Sequence, residues 1–463
     1  MRPGRLASWC ALILGSAIVT LTAAQPGVTF IGVGFIPGDA LDRSGLAGES
    51  ICQRDDASVC IDQATFGGMG SGVTYTGFNK VFLAVPDRGP FDGRTDVPYL
   101  DRFHFLHIDV DTNAAFPNVT TKLLATRFLK DEWHRHFVGD AYAFDTTNPF
   151  ATERFDPEAV AVSLFGNIFV SDEYGPYIRE FGRGGNLLRR IAVPKKFRLD
   201  PETGHPSGDL DINGNSVELQ PAFNTTGRQA NRGMEGLTIT PNGRTLVGIM
   251  QNALLQDHGV DPVTIGRVGV NNRILTVDLL TGETHEYVYV MDAVNQGRGV
   301  NEILAINDHE FLVLERDNRT QRPTPPNSAQ NPNLKRIYKI DLAKPDLTDV
   351  SDIESLPQGA LDPSIVPVTK TLFLDLLDPS YMVNATQTIR DVVAEKIEAM
   401  AWGPNLKDGR HVLYVFSDND LFPGLPTQIY AFAIDGAAAG ITYRPQVVLF
   451  PPLAPWELPK GLR

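Results

Sequence analysis

The chain is 463 residues long and carries 55 acidic against 41 basic side chains, a formal net charge of −14. That balance argues against nucleic acid as a partner, since phosphate backbones recruit basic surfaces. Beyond the first two dozen residues no segment is long and apolar enough to span a bilayer, so the body of the protein is expected to be soluble, with no membrane association.

Residues 1–24 combine a basic start at Arg2 and Arg5, an apolar stretch from Leu6 to Leu21 and the small residues Thr22-Ala23-Ala24. They read as a secretory signal peptide. The competing reading, a membrane anchor, is disfavoured by the short run, by Ser8, Gly15 and Ser16 within it, and by the small residues that close it. Cleavage removes Cys10 and leaves a net charge of about −16 on a secreted protein, periplasmic in a bacterial host. The remaining pair, Cys52 and Cys60, brackets a short polar loop. In an exported chain that spacing reads as a disulfide rather than as a metal site of two lone cysteines. Sequons stand at Asn118, Asn224, Asn318 and Asn384, and a eukaryotic host would glycosylate them.

From Ser71 onward one unit recurs: an acidic residue, a short apolar run, a turn, a second apolar run, another acidic residue. A degenerate first copy lacks the leading Glu, running from Ser71-Gly72-Val73-Thr74-Tyr75 to Val85-Pro86-Asp87-Arg88-Gly89. Full copies run from Glu158-Ala159-Val160 to Ser171-Asp172-Glu173 and from Glu235-Gly236-Leu237 to Met250-Gln251. Two more run from Glu302-Ile303-Leu304 to Leu314-Glu315 and from Glu398-Ala399-Met400 to Ser417-Asp418. The apolar runs are rich in Val, Ile, Leu and Phe and bounded by Gly, Pro, Asn or Asp, which predicts strands and tight turns; Pro241-Asn242-Gly243 is the clearest turn. Further strand-like runs at 272–278, 286–290, 335–341 and 428–435 bring each unit to about four strands.

Such a unit cannot bury its own faces, so several must pack around a common core. The expected fold is all-β: a β-propeller of four-stranded antiparallel blades, five visible and six possible, forming a single domain over residues 25–463. The run Val28-Thr29-Phe30-Ile31-Gly32-Val33 is available to close the ring on the last blade. The unit spacing exceeds the ~40–50 residues of compact propeller repeats. Long loops at 131–153, 199–233, 316–334 and 342–369 therefore become candidates to carry function.

In a blade the first two strands are antiparallel neighbours, so the start of one and the end of the other emerge on the same face. That geometry gathers Glu158, Glu235, Glu302 and Glu398 at one mouth of the channel, with Asp87, Glu173, Glu315, Asp317, Asp418 and Asp420 around them. So many carboxylates raise one another's pKa, and a hard oxygen-binding cation such as Ca²⁺ is the simplest compensation. Asp87, Glu158, Glu173, Glu302, Glu315 and Asp418 are the candidate metal ligands. Two alternatives stay open: each glutamate latches its blade to the next by accepting backbone N–H bonds, or the acids pair with Arg88, Arg232, Arg316 and Lys396, which accompany them in sequence. A second candidate cation loop, Asp209-Leu210-Asp211-Ile212-Asn213-Gly214, has Gln220 where a calcium loop places its bidentate Glu. His134 and His136 form a possible zinc pair that nothing nearby completes. Ser71 does not make a G-x-S-x-G elbow, and neither H-E-x-x-H nor a P-loop is present.

Five motifs in order, Pro86-Asp87-Arg88-Gly89, Pro157-Glu158-Ala159-Val160, Asn231-Arg232-Gly233-Met234-Glu235-Gly236-Leu237, Leu314-Glu315-Arg316-Asp317 and Ile397-Glu398-Ala399-Met400, resemble the phytase-like family, also described as "esterase-like activity of phytase". The resemblance spans Phe66 to Phe450. It implies an exported propeller that hydrolyses phosphate or carboxylic esters, calcium-dependent by similarity to propeller phytases. The Arg-His-Gly core of histidine acid phytases is absent, which excludes a phosphohistidine route. On the enzyme reading Glu235 and Glu398 are the candidate general bases and Arg88, Arg232 and Arg316 the oxyanion holders. The expected partner is a small anionic or ester substrate, and the expected assembly is a monomer. A propeller lactonase and a non-enzymatic secreted binding module are the alternatives.

Overall fold

The computed structural model describes residues 25–140, 142–143, 152–175, 177–199, 225–294, 298–321 and 330–462. The signal-peptide reading, the Asp209 loop and the Asn224 sequon lie outside the described residues.

Five four-stranded antiparallel sheets make up the body. The first holds β4 (Gly72–Tyr75), β5 (Val81–Val85), β6 (Arg102–Val110) and β7 (Val119–Phe128). The second holds β8 (Pro157–Val162), β9 (Ile168–Asp172), β10 (Ile178–Phe181) and β11 (Leu187–Ile191). β12 (Met234–Ile239), β13 (Thr245–Met250), β14 (Asn271–Asp278) and β15 (Thr284–Val290) form the third. The fourth comprises β16 (Gly299–Ala305), β17 (Glu310–Arg316), β18 (Lys335–Asp341) and β19 (Thr371–Asp375). In the fifth, β20 (Lys396–Gly403), β21 (His411–Asp418) and β22 (Thr427–Ile434) are completed by the N-terminal strand β1 (Val28–Ile36), which pairs with β22. The expected propeller, with its ring closed by the N-terminal run, is therefore what forms, and the described residues make five blades rather than six.

The first strand of each sheet touches the first strands of both neighbours, in the cyclic order β4, β8, β12, β16, β20 and back to β4. These five strands line the channel. Sheets stacked on both sides bury both faces of a strand, so β5, β8 and β22 are buried at every residue, and β5 reads as an unbroken apolar run. The outer strand β11 buries only its ends, Leu187 and Ile191, leaving Leu188, Arg189 and Arg190 between them toward solvent. Gly243 turns β12 into β13 with φ of 73°, a left-handed conformation that glycine reaches without strain.

Outside the blades β2 (Ser50–Gln53) and β3 (Asp56–Asp62) form a hairpin, and Cys52 and Cys60, directly opposite one another in it, are joined by the expected disulfide. Ile51 of the hairpin packs against Tyr99 and Leu421, beside the channel mouth. No helix among the described residues is long and apolar enough to cross a membrane.

Candidate functional site at the channel mouth

The ladder registers define two rings of side chains. Val73, Val160, Leu237, Ile303 and Met400 of the inner strands pair with Ala84, Val170, Gly248, Val313 and Val415 of the second strands. Two residues before the former lie Ser71, Glu158, Glu235, Asn301 and Glu398. Three residues beyond the latter lie Asp87, Glu173, Gln251, Arg316 and Asp418. In β8, β12, β16 and β20 the register slips at the inner-ring residue. A bulge of this kind releases one residue from the ladder and re-aims its side chain.

The register corrects two expected ligands. Asn301, not Glu302, holds the ring position in the fourth blade. Glu302 falls one place later, where the other blades have Ala159, Gly236 and Ala399, and its Oε1 accepts the N–H groups of Leu237 at 3.3 Å and Ile303 at 2.8 Å. It is the interblade latch that the alternative reading described. The fit there is close: a Cβ on Gly236 would stand 2.7 Å from the Ile303 nitrogen. Glu315 is likewise displaced by strand alternation, which sends it to the opposite face from Arg316. Its carboxylate accepts hydrogen bonds from the Tyr289 hydroxyl and the Lys370 ammonium, both at 2.6 Å, and from the Asp292 N–H at 3.2 Å. Asp317 is fully buried as a loop anchor, accepting the N–H groups of Asn333 at 2.8 Å and Leu334 at 3.1 Å.

The structure brings the other expected residues together at the mouth, along with partners that the sequence reading missed. Asp156 is the most important of these: Arg88 binds it through its backbone N–H at 2.9 Å and its Nη1 at 2.7 Å, while reaching Glu173 at 3.4 Å and Asp92 at 2.8 Å. Burial works against the Arg88 charge, but Asp156 and Asp92 outweigh it and hold its pKa above the ordinary arginine value. Arg316 pairs with Glu398, and Lys396 with Asp420. Gln251 and Asn301 both donate to Glu235 Oε1, the latter at 2.6 Å. Arg232 is half-buried, and its Nη1 reaches the Asn231 carbonyl at 2.6 Å. No carboxylate among the described residues pairs with it, and burial holds its pKa below the ordinary arginine value, an effect that Glu173 and Glu235 offset only in part.

The acids are crowded. Burial, then the neighbouring Glu235, Glu173 and Asp156, push Glu158 well above the usual carboxylate range; burial, then Glu173 and Glu398, do the same to Glu235. Asp418 is raised by burial and by Asp420 and Asp87, and Asp87 is pushed up to about 6, mainly by burial. Two groups of three carboxylates have ligand oxygens within 4.8 Å of one another: Asp87, Asp418 and Asp420, and Asp156, Glu158 and Glu173. Within them Asp418 Oδ2 and Glu173 Oε1 are buried without a hydrogen-bond partner. An all-oxygen donor set with bare buried oxygens fits a hard divalent cation.

Outside the mouth, the Asn118 sequon is corrected. Its amide is 5% exposed, accepts the Val33 N–H and donates to the carbonyls of Ile31 and Asp111, so both Nδ2 hydrogens are engaged and a glycan has no place. Asn384 is exposed, whereas Asn318 is half-buried and bonded to Arg316. His134 bonds Asn186 at 3.0 Å and the His136 ring packs on Phe128, so they make no zinc pair.

Aligning the repeats on their glutamates hid Asn301, while Gln251 stood at the end of its unit but, carrying no charge, was passed over as a ligand. Aligning them on the apolar residues that follow the bulge brings Asn301 into the ring.

An uncharacterized secreted protein of Arthroderma benhamiae is similar, at 27% identity over 462 residues, 84% of this chain and 86% of that one. Among solved structures, a luciferin-regenerating enzyme is 12% identical with a TM-score of 0.32, over 83% of this chain and 95% of that chain. A Hadza microbial sialidase is 12% identical with a TM-score of 0.33, over 80% and 56% respectively. At these scores neither structure carries an argument about this chain's chemistry. The family described as "Phytase-like: Esterase-like activity of phytase" matches residues 64–421, most of the chain and every blade motif. The chain belongs to this phytase-like family.

Proposed function

We propose that residues 25–463 form a secreted single-domain hydrolase of phosphate or carboxylic esters, with its active centre at the acidic mouth. Export is supported by the secreted relative, by the disulfide and by the leader-like residues 1–24. One observation carries the catalytic reading: Arg232 stands half-buried among the ring carboxylates without an ion pair among the described residues, while Arg88 and Arg316 beside it are held by acids. A guanidinium placed so is a ready partner for a phosphate or carboxylate oxygen.

Asp156, Glu158 and Glu173, or Asp87, Asp418 and Asp420, would hold a Ca²⁺-type cation, which when bound polarises a phosphoryl or acyl oxygen. Arg232 meets the anionic oxygens of the substrate, and Arg88 and Arg316 add to the positive field around them. Glu398, oriented by Arg316 through Oε1, is the carboxylate assigned to take the proton of the attacking water.

The test is hydrolysis by the mature, oxidised protein of an aryl phosphate, phytate, an aryl acetate and a lactone, each with calcium and with chelator. The expected result is calcium-dependent turnover of an anionic ester, reduced about 100-fold in Arg232→Met and in Glu398→Gln. Turnover of the lactone alone would replace this reading with a lactonase. No turnover by a folded, calcium-loaded protein would leave a binding module.

A further inference from the structure

We propose that Glu235, Gln251 and Asn301 form a site of their own for one hard divalent cation, on the inner ring and with donors distinct from those of the two three-carboxylate groups. The site deepens the proposed hydrolytic mouth and rests on its metal half, but needs no turnover to be tested.

The three residues come from the bulge of β12, the residue after β13 and the bulge of β16, and are 3%, 4% and 1% exposed. Gln251 Nε2 and Asn301 Nδ2 converge on a single atom, Glu235 Oε1. The remaining oxygens of the same three groups, Glu235 Oε2, Gln251 Oε1 and Asn301 Oδ1, are all buried with no hydrogen-bond partner. Each is one carbon removed from an atom of the shared knot, so the three bare oxygens belong to one small region.

Leaving a buried acceptor unsatisfied costs roughly 1–3 kcal/mol, and native structures rarely tolerate even one such group without an ion or a water. Three together, all acceptors, call for a partner that bonds oxygen and nothing else. A water brings two hydrogens, whereas a cation bonds all three oxygens. The field also favours positive charge: Glu173, Glu398 and Glu158 surround Glu235, against Arg316 and Arg232. Of these cations Arg316 is committed to Glu398 and Asn318. One carboxylate with two amide carbonyls is a hard-cation donor set, and Ca²⁺ accepts it readily. The two amide N–H bonds to Oε1 then serve to orient the donors.

The experiment is a calorimetric titration of the full mature, oxidised protein, stripped with chelator, with CaCl₂. Folding is checked by circular dichroism and thermal melting. Asn301→Ala and Gln251→Ala are each expected to weaken one binding event about 10-fold or more, the scale on which metal-site partners act. Asn301→Asp separates a ligand from a mere hydrogen-bond donor. It loses the N–H but keeps an oxygen and adds charge, so a ligand at this position binds Ca²⁺ at least as tightly as in wild type. Asp418→Asn, in one of the other groups, should leave this event in place.

Alanine variants that fold and bind with unchanged stoichiometry and affinity overturn the site. So does an Asn301→Asp protein as weak as Asn301→Ala, or a wild type that binds no calcium. Should one alanine variant fail to fold, the other and the aspartate variant still decide. Hydrolysis is scored separately: turnover without this binding event rejects the site alone, and binding without turnover rejects the hydrolase reading alone.

Discussion

His104 lies inside the first blade, 1% exposed, with Nδ1 at 3.0 Å from the Thr126 hydroxyl and its ring edge-on to Phe66 at 4.9 Å between centroids. Burial pushes its pKa down from 6.5 to about 4, against a partial pull upward from Asp42 and with a further push downward from Arg102. The unfolded chain therefore binds this proton first as the solution is acidified. Stability contributed by the neutral imidazole is fully present above pH 6.5 and is lost progressively as pH falls toward about 4. Its ceiling is about 3 kcal/mol. Urea unfolding of wild type and of His104→Asn across that window checks this: the variant should start less stable and lose less on acidification. Parallel losses in the two proteins would mean that the carboxylates alone govern acid unfolding.

At the scale of strands, the bulge decides what the mouth contains. The blades were legible because short Val, Ile, Leu and Phe runs with Gly and Asn turns permit little else, and both-face burial of β5 and β8 removes the alternation that would mark a solvated sheet. Much of the make-up of the acidic mouth was legible too, since Glu158, Glu235, Glu398, Asp87, Glu173 and Asp418 all sit at or beside strand ends. Where the reading failed, it failed by a single residue. An acidic residue next to the ring position looks identical in sequence to one at it, so Glu302 was taken for Asn301 and Glu315 for Arg316. Asp156 was illegible for another reason: Arg88 recruits it across 68 residues. The distinction between latch and ring is measurable. Glu302→Ala leaves two buried N–H groups without their acceptor and is expected to cost about 2 kcal/mol in urea unfolding, with calcium binding unchanged. Loss of calcium binding at unaltered stability would return Glu302 to the mouth.

At the scale of the whole molecule, the mouth exists only while five inner strands stay side by side, and the ring is closed by more than one device. The pairing of β1 with β22 ties the N-terminal strand into the last blade. The chain after β22 then runs across the opposite end of the channel. Arg444 donates its N–H to Ile306, Leu449 donates to Leu164, and Tyr443 packs on Trp402 with 4.5 Å between ring centroids. Residues Tyr443 to Gln446 and the far ends of the inner strands enclose a cavity of about 120 Å³ there. Farther on, Leu453 and Leu458 are 2% and 1% exposed in the core shared by Phe103, Phe105 and Phe181 of the first two blades, and Glu457 pairs with Arg127. The tail thus straps the fifth blade to the first and second. It lies wholly beyond residues 64–421, the part matched by the family, so the strap and the candidate site reside in different segments. Leu453→Ala removes a buried anchor of the strap and is expected to cost about 2–5 kcal/mol. Amide exchange should then quicken first in β6, β7, β10 and β11, which border that core, while calcium binding at the mouth persists under conditions where the protein stays folded. An unchanged melting temperature together with unchanged exchange in those strands would show that the tail lies on the ring without holding it shut.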